Sequence, residues 1–375
     1  MPPPQQTSAS QTPHISPAEL SYLYTSLSQP DGPIRPDGRS PTQFRPLTAE
    51  TGIVPGANGS ARIGFADGSE AIVGVKAEIE RTLATDALDL RQLQELEQQN
   101  DGYRGADNVD NGDATREGSH AVAGQSSWVQ MSIEIPGFRD DDALPVFLSE
   151  MMRESLVEAG NEEGSTSGGG LKSRLILLLS PPQSYPLPLL SLTTHLALLS
   201  TRLPKLKSQG EEDPFFEDDW NLAEYIYQQQ TVKHAREARP PVTLLVITTG
   251  QNVIFDPTRE EIAVADSVLA VSIARDTESA GGELKLLSIR TIDAPSRLTQ
   301  HGIPDSENAA TMGAVTTAVQ AADVATATDE EVPGVWKPRR GGIARSVISK
   351  IIKTVLQKGG VGDEVMEGLE GVEVR

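Results

Sequence analysis

Two short apolar runs joined by Asp67-Gly68 constrain the fold of this chain more than any other feature. Side chains alternate between the two faces of a strand, and an Asp-Gly pair supplies the positive φ that a tight turn needs. Residues 60–80 are therefore predicted to form an antiparallel hairpin with one buried face. The buried face is expected to consist of Ala61, Ile63, Phe65, Ala71, Val73, Val75, Ala77 and Ile79.

A turn precedes this hairpin, at Arg35-Pro36-Asp37-Gly38-Arg39. Pro36 and Gly38 interrupt any helix, and the Asp37 side chain can accept hydrogen bonds from nearby backbone groups. The flanking guanidinium groups can reach a neighbouring surface. The pattern predicts a turn, and by itself it indicates no activity.

Turn and hairpin together resemble the start of the ribonuclease-PH family, whose members open with an R-x-D-G-R turn, a G-S-A-x-V strand and a V-G-V-K-A-like strand. The corresponding strands here are Gly59–Phe65 and Ala71–Glu78. An acidic loop at 213–220 and the stretch V-I-F-D-P-T-R-E-E at 253–261 agree with one branch of the family. The resemblance covers roughly residues 16–295 with interruptions. It implies an α/β (α+β) fold, the ribosomal-protein-S5-domain-2-like sandwich of mixed sheets and helices.

Periodicity and end signals predict the other elements. A helix is expected from Pro17 to a point before Pro30, because Ser16 is a good N-cap residue. Further helices are predicted over 140–159, ending at Gly160, over 187–203, and over 343–356. His195, on the helix over 187–203, is expected to be a partly exposed surface or core histidine. Strands are predicted at 128–135 as the next strand of the same meander, and at 174–179, 242–248, 252–255, 264–273 and 284–290.

The 375 residues include 33 glycines and 26 prolines, and only 37% are hydrophobic, so part of the length is expected to lie outside a packed core. One domain with long insertions fits this composition. The expected organisation is a disordered N-terminus (1–15), a ribonuclease-PH-like domain (16–295) with flexible insertions (84–126, 160–170 and 207–220), a flexible segment (296–335), and a basic amphipathic helix and tail (336–375).

Composition also excludes several functions. The chain has no cysteine, which excludes disulfides, thiolate catalysis and cysteine-ligated zinc, and neither a metal nor another cofactor is predicted. A run of about 18 apolar residues, as a membrane helix needs, does not occur, and the first residues lack the pattern of a signal peptide. We therefore expect an intracellular, soluble protein without membrane contact.

Charge argues against independent nucleic-acid binding, because the formal net charge is −21 and binding to phosphates needs clustered cations. One segment departs from this balance, since residues 337–358 carry seven cations and no acid. The helix predicted there has two interpretations that stay open: a helix docked on the domain, or a peripheral contact with RNA or protein.

Active members of the family that this chain resembles cleave RNA from its 3′ end by phosphorolysis. The residues of this chain can therefore be compared with what that reaction needs. That reaction needs a phosphate cradle of backbone N–H groups, arginines that hold RNA, and a carboxylate pair. The expected cradle, residues 180–186, has three prolines and no glycine, so it offers few N–H donors. Arg139 is followed at once by three aspartates, which repel phosphate.

Glu260 and Asp266 are similar in spacing to the acidic pair of active members. If the chain is active, they are the candidates for the carboxylate pair, which is one of the three parts that the reaction needs. One part cannot perform the reaction. We therefore predict no catalytic residues and a non-catalytic subunit. Arg139 is the candidate RNA contact. Arg35, Asp37 and Arg39 are candidates for a structural turn or a subunit interface.

The resemblance implies that this chain is a subunit of the eukaryotic RNA exosome ring, acting in 3′-to-5′ RNA degradation and rRNA processing. Expected partners are other ribonuclease-PH-like ring subunits, S1/KH cap subunits, a hydrolytic exosome nuclease, and RNA that passes through the assembled channel. The implied compartments are nucleus, nucleolus and cytoplasm. Two alternatives remain: an active phosphorolytic 3′-5′ exoribonuclease, and an RNA-binding adaptor that uses the basic C-terminal tail.

Overall fold

Six helices are described in the computed structural model of the chain. They are α1 (Pro17–Leu27), α2 (Ala143–Glu162), α3 (Leu187–Leu199), α4 (Arg259–Ala263), α5 (Arg345–Leu356) and α6 (Val361–Glu370). The structure describes residues 15–79, 129–139, 141–162, 171–179, 184–207, 215–227, 239–275, 282–302, 334–339 and 342–374. The predicted insertion 84–126 lies outside these residues, as do most of the flexible segment 296–335 and residues 1–14.

The strands form two sheets and two short ribbons. The first sheet contains β1 (Leu47–Thr51), β2 (Gly59–Phe65), β3 (Glu70–Ile79), β4 (Val129–Glu134) and β5 (Leu171–Leu179), in the order β1-β2-β3-β5-β4. The ribbons pair β6 (Arg202–Leu203) with β9 (Glu224–Tyr225), and β7 (Leu206–Lys207) with β8 (Phe215–Phe216). The second sheet contains β10 (Val242–Thr249), β11 (Asn252–Phe255), β12 (Ser267–Arg275) and β13 (Leu284–Ile292), in the order β11-β10-β12-β13.

The hairpin predicted at residues 60–80 is formed by β2 and β3. The two strands are antiparallel, with Ala61 opposite Val73 and Ile63 opposite Ala71, and all four side chains are buried. Gly68 in the turn has φ +85°, a conformation that glycine adopts without strain. The mixed α/β sandwich expected from the sequence is likewise confirmed.

The strand predicted over 128–135 exists as β4, but its predicted neighbour was wrong. We expected it to continue the meander beside β3, whereas β5 lies between the two and pairs antiparallel with β3. β4 is parallel to β5 at the sheet edge, with α2 as the connection between them. Parallel neighbours need such a crossover, so the helix between the strands fixes this order.

Helices α2 and α3 form a layer between the two sheets. α3 packs on β2 and β3 on one side and on β10 on the other, while α2 contacts β4 and β13. All thirteen residues of α3 are buried, because its sequence is apolar on every side. The helix ends at Leu199 rather than at residue 203. The hydroxyl groups of Ser200 and Thr201 donate to the Ala197 carbonyl there, and the chain continues into β6.

Several other boundaries differ from the predicted ones. α2 begins at Ala143 and continues through Gly160 to Glu162, since a glycine weakens a helix without having to end it. The strand predicted over 264–273 begins only at Ser267, because a capping box between Thr258 and Glu261 starts helix α4 just before it. The predicted C-terminal helix is α5, and α6, which follows it, was not predicted. Within the described residues no helix is long and apolar enough to cross a membrane.

Gly59 lies where the first sheet touches the end of α3, and we expect Gly59→Ala to be destabilising. A Cβ atom at this position would lie 2.5 Å from the Thr201 Cα atom and 2.6 Å from its backbone nitrogen. Backbone atoms cannot rotate away as a flexible side chain can, so the free energy of unfolding should fall by about 1–3 kcal/mol. Urea unfolding of the full-length chain measures this change.

Gly74 provides the matched control, because it lies opposite Ser60 in the same hairpin. A Cβ atom there would lie 3.9 Å from that of Ala57, which is ordinary contact. Gly74→Ala should therefore leave the stability unchanged or slightly higher. An equal loss in both variants would contradict the close approach at Gly59.

Candidate functional site

The turn at residues 35–39 lies against the segment that joins β11 to α4. Arg35 forms a two-pronged ion pair with Glu261, at 2.8 Å (Nε to Oε1) and 2.9 Å (Nη2 to Oε2). Its Nη1 and Nη2 atoms also donate to the carbonyl oxygens of Phe255 and Asp256, at 3.2 and 3.0 Å. Neither side chain of this ion pair is exposed. Arg35 is thus held inside the domain.

Two further arginines converge on Asp256. Arg39 donates to its Oδ2 atom at 2.9 Å and to Asp37 at 2.6 Å. Arg45 donates to both carboxylate oxygens of Asp256, at 2.7 Å from Nη2 and 3.0 Å from Nε, and to Asp67 at 2.6 Å. We call Arg35, Arg39, Arg45, Asp256 and Glu261 the arginine cluster.

The pKa values in this cluster follow from burial and pairing. Burial alone would raise the pKa of the Asp256 carboxyl, but the hydrogen bonds and charge of Arg45, with the charge of Arg39, hold it below its ordinary value. Burial likewise opposes the charge of Arg45, yet its hydrogen bond and charge interaction with Asp256, aided by Asp67, raise its pKa. Both groups are therefore charged at neutral pH.

Together with the neighbouring acids Asp37 and Asp67, the carboxylates of the cluster leave its three arginines no net positive charge to offer a phosphate ion. The three guanidinium groups face four carboxylates, on Asp37, Asp67, Asp256 and Glu261. Sequence reasoning selected Arg35, Asp37 and Arg39 but missed Arg45, Asp256 and Glu261. The D-P-T-R-E-E stretch was the available signal, since it contains both missed carboxylates.

The loop expected to cradle phosphate is described only at its end. Residues 180–183 lie outside the described part of the chain, and Pro186 directly precedes α3. The hydroxyl of Ser184 accepts a 2.7 Å hydrogen bond from Arg45. The arginine cluster therefore fixes one end of this loop.

Arg139, the candidate RNA contact, lies on the turn before α2. Its side chain is 83% exposed and pairs with Asp141 at 3.3 Å. Its backbone N–H donates to the Asp142 carboxylate at 2.8 Å. The turn thus carries acids together with its cation, and its role in contacting RNA stays a prediction.

The acidic pair of the sequence is divided between two elements. Glu260 is exposed in the first turn of α4, and Asp266 precedes β12. Asp266 accepts hydrogen bonds from the Gly250 backbone N–H at 2.6 Å and from the Tyr24 hydroxyl at 3.4 Å. It also lies 3.6 Å from Arg339. Its carboxylate thus ties three separate segments together.

Asp266 and Arg339 line a cleft of about 350 Å³ beside the N-terminus of α5. The guanidinium carbon of Arg339 lies 3.7 Å from the ring centroid of Tyr24 and 5.8 Å from that of Trp336. Such stacking fixes the guanidinium group over the aromatic rings. Among the described residues, no group of three or more His, Asp or Glu side chains is arranged to hold a metal ion.

Comparisons with known proteins complement this geometry. No protein-family model matches the sequence. Exosome complex component RRP42 of Saccharomyces cerevisiae is 30% identical over 267 residues, which is 69% of this chain and 81% of the yeast protein. Exosome complex component rrp42 of Schizosaccharomyces pombe is 29% identical over 276 residues, which is 69% of this chain and 78% of that protein.

Two solved structures are also similar in outline. One is the Archaeoglobus fulgidus exosome with RNA bound to the active site, with 16% identity, a TM-score of 0.44, and coverage of 74% of this chain and 88% of the other. The second is rice (Oryza sativa) Rrp46, with 11% identity, a TM-score of 0.44, and coverage of 90% and 99%. The assignment rests on the sequence relatives. By its 30% identity over four fifths of the yeast protein, this chain belongs to the family of exosome complex component RRP42.

Proposed function

We propose that this chain is a non-catalytic subunit of an exosome ring, where it supports 3′-to-5′ RNA degradation and rRNA processing without cleaving RNA itself. Membership of the RRP42 family supports the place in the exosome. Its partners are then other ribonuclease-PH-like ring subunits, S1/KH cap subunits and a hydrolytic nuclease, with RNA passing through the assembled channel. We also propose that it occurs in nucleus, nucleolus and cytoplasm, which microscopy of the tagged chain tests.

One observation carries the non-catalytic part of the proposal: carboxylates neutralise the three arginines of the arginine cluster, which holds one end of the expected phosphate loop. Arg35, Arg39 and Arg45 are held by Asp37, Asp67, Asp256 and Glu261. Phosphorolysis needs a cation for the attacking phosphate, and a guanidinium group buried in an ion pair cannot serve without breaking that pair. Asp266 is likewise engaged by Tyr24, Gly250 and Arg339.

A phosphorolysis assay tests this part directly. The full-length chain, alone and in the complex purified with it, is incubated with a 5′-labelled RNA in the presence and absence of inorganic phosphate. We expect no phosphate-dependent shortening by the chain alone. Shortening that requires phosphate and is lost in Glu260→Gln and Asp266→Asn variants would establish the active alternative.

Co-purification tests the ring assignment separately. A tagged full-length chain recovered from its own cells should bring down related ribonuclease-PH-like chains and cap proteins near equal stoichiometry. Recovery of the chain alone or as a homo-oligomer would overturn the ring assignment, whatever the phosphorolysis assay shows.

A further inference from the structure

Helix α5 divides its surface between an apolar face and a basic face. Val347, Ile351 and Val355 are buried and dock the helix on the domain. Arg345, Lys350 and Lys353 are exposed. A helix turns by about 100° per residue, which directs Arg345 and Lys353 away from the buried stripe, whereas Lys350 lies at its flank and donates to the Gln251 carbonyl. The docked-helix interpretation of the sequence and a basic outer surface therefore coexist.

The basic face differs from other cationic positions of the chain in its pairing. Arg345 and Lys353 on this face, and Lys358 just beyond the helix, form no ion pair with any residue that the structure describes. By contrast, Lys205 pairs with Glu224 at 2.9 Å and Lys207 with Glu217 at 2.5 Å. An unpaired cation can neutralise a phosphate without first breaking an ion pair, and the cations condensed on the nucleic acid are then released, which drives binding.

Two of the four acids of the neighbouring helix α6 are engaged elsewhere, while Glu364 and Glu367 are exposed. Glu370 lies 3.0 Å from Arg275 and 3.7 Å from Arg239. Asp363 accepts the Gly359 backbone N–H at 2.8 Å and lies 3.8 Å from Arg275. Since charges beyond about 8 Å are largely screened at physiological salt, the net charge of −21 does not prevent local attraction at α5.

The composition of the face distinguishes between two kinds of polyanionic partner. Its exposed positions are cations and the serines Ser346 and Ser349. Lys, Arg and Ser side chains are the usual donors to phosphate oxygens. A protein interface would need an apolar centre with aromatic or aliphatic anchors, and the outward face of α5 has none in the described residues.

We propose that the outward face of α5, with Arg345, Ser346 and Lys353, binds the phosphate backbone of single-stranded RNA together with Lys358. The contact carries no base specificity, because phosphates are the same at every position. This RNA contact is separate from the proposed scaffold role, because all of its residues belong to this chain and it does not require the assembled ring.

The test compares two triple variants of the full-length chain in their binding to a fluorescent oligouridine. The first is Arg345→Gln, Lys353→Gln and Lys358→Gln, which spares Lys350 because that side chain donates to the Gln251 carbonyl at 3.0 Å. The matched control is Lys76→Gln, Lys205→Gln and Lys207→Gln, which removes three exposed lysines that are paired with acids. Both variants lose the same net charge.

We expect the first variant to bind more weakly and the control to bind like the wild type. Across a salt series, the slope of log K against log salt should be shallower by about 2 in the first variant, because each phosphate contact with a single strand contributes about 0.7. Equal slopes in the two variants, or no binding of oligouridine by the wild type, would overturn the proposal. Tighter binding of a polyglutamate peptide than of oligouridine would overturn it in favour of an acidic protein partner.

Discussion

Asp256→Asn is expected to lower the free energy of unfolding by about 3–5 kcal/mol, the range found when one member of a buried ion pair is removed. The Asp256 carboxylate is not exposed, and it accepts hydrogen bonds from both Arg39 and Arg45. Without it, Arg45 keeps Asp67 as its described carboxylate partner although its side chain is only 9% exposed. A buried positive charge would then be incompletely compensated.

Asparagine is the informative substitution because it separates charge from backbone geometry. Asp256 has φ +45°, and asparagine tolerates this left-handed conformation better than most residues. Shape and backbone are thus conserved while the charge is lost. Urea unfolding of the full-length chain, followed by tryptophan fluorescence, gives the difference in free energy.

Glu70→Gln is the control for this experiment, since it also removes one carboxylate charge from an ion pair. Its partner Arg62 is exposed and hydrated, so little change in stability is expected. If Asp256→Asn is as stable as Glu70→Gln, the arginine cluster does not hold the turn in the way described. If Asp256→Asn strongly lowers the free energy of unfolding, we also expect the end of the loop at Ser184 to be less firmly held, because Arg45 donates a hydrogen bond to Ser184.

The sequence was sufficient for elements whose signals are local. The β2–β3 hairpin follows from alternation and a two-residue turn, and α1 follows from its capping box and Pro17. The position of β4 does not follow, because alternation predicts that a segment is a strand but not which strand lies beside it. That choice depends on the crossover through α2.

The arginine cluster shows the same division between local and distant information. A turn at Arg35–Arg39 could be predicted from proline and glycine, but Glu261, the partner of Arg35, is 226 residues away in the chain. The Thr258–Glu261 capping box is visible in the sequence, whereas the second role of Glu261 as a buried counter-ion is not. Only the folded chain brings the two segments together.

The burial of His195 could have been predicted from the sequence of its helix. It lies on α3, whose apolar residues surround it on every side of the helix, a pattern typical of full burial. The histidine is 0% exposed, so the core part of the prediction is confirmed and the partly exposed part is wrong. Its Nδ1–H donates to the Pro240 carbonyl at 2.8 Å, and Nε2 has no partner among the described residues.

Acidification is therefore expected to destabilise the chain through His195. Burial lowers the pKa of His195 to about 4, aided by the charges of Arg239 and Arg275 and partly opposed by the hydrogen bond to Pro240. In the unfolded chain the same group titrates near pH 6.5, so between these values the unfolded state binds a proton that the folded state does not. Stability present above pH 6.5 is lost as the pH falls, by about 3 kcal/mol at pH 4.

Comparison of His195→Asn with the wild type isolates this contribution, because the asparagine amide can still donate to the Pro240 carbonyl while it does not titrate. The variant loses packing and is less stable at pH 7, but its free energy of unfolding should fall by about 3 kcal/mol less than that of the wild type between pH 7 and pH 4. Carboxylates such as Asp256 titrate in both proteins and cancel in the difference. If the free energy of unfolding of the wild type and of His195→Asn falls equally between pH 7 and pH 4, folding does not change the pKa of His195. That result would contradict its burial between the two sheets as a neutral side chain.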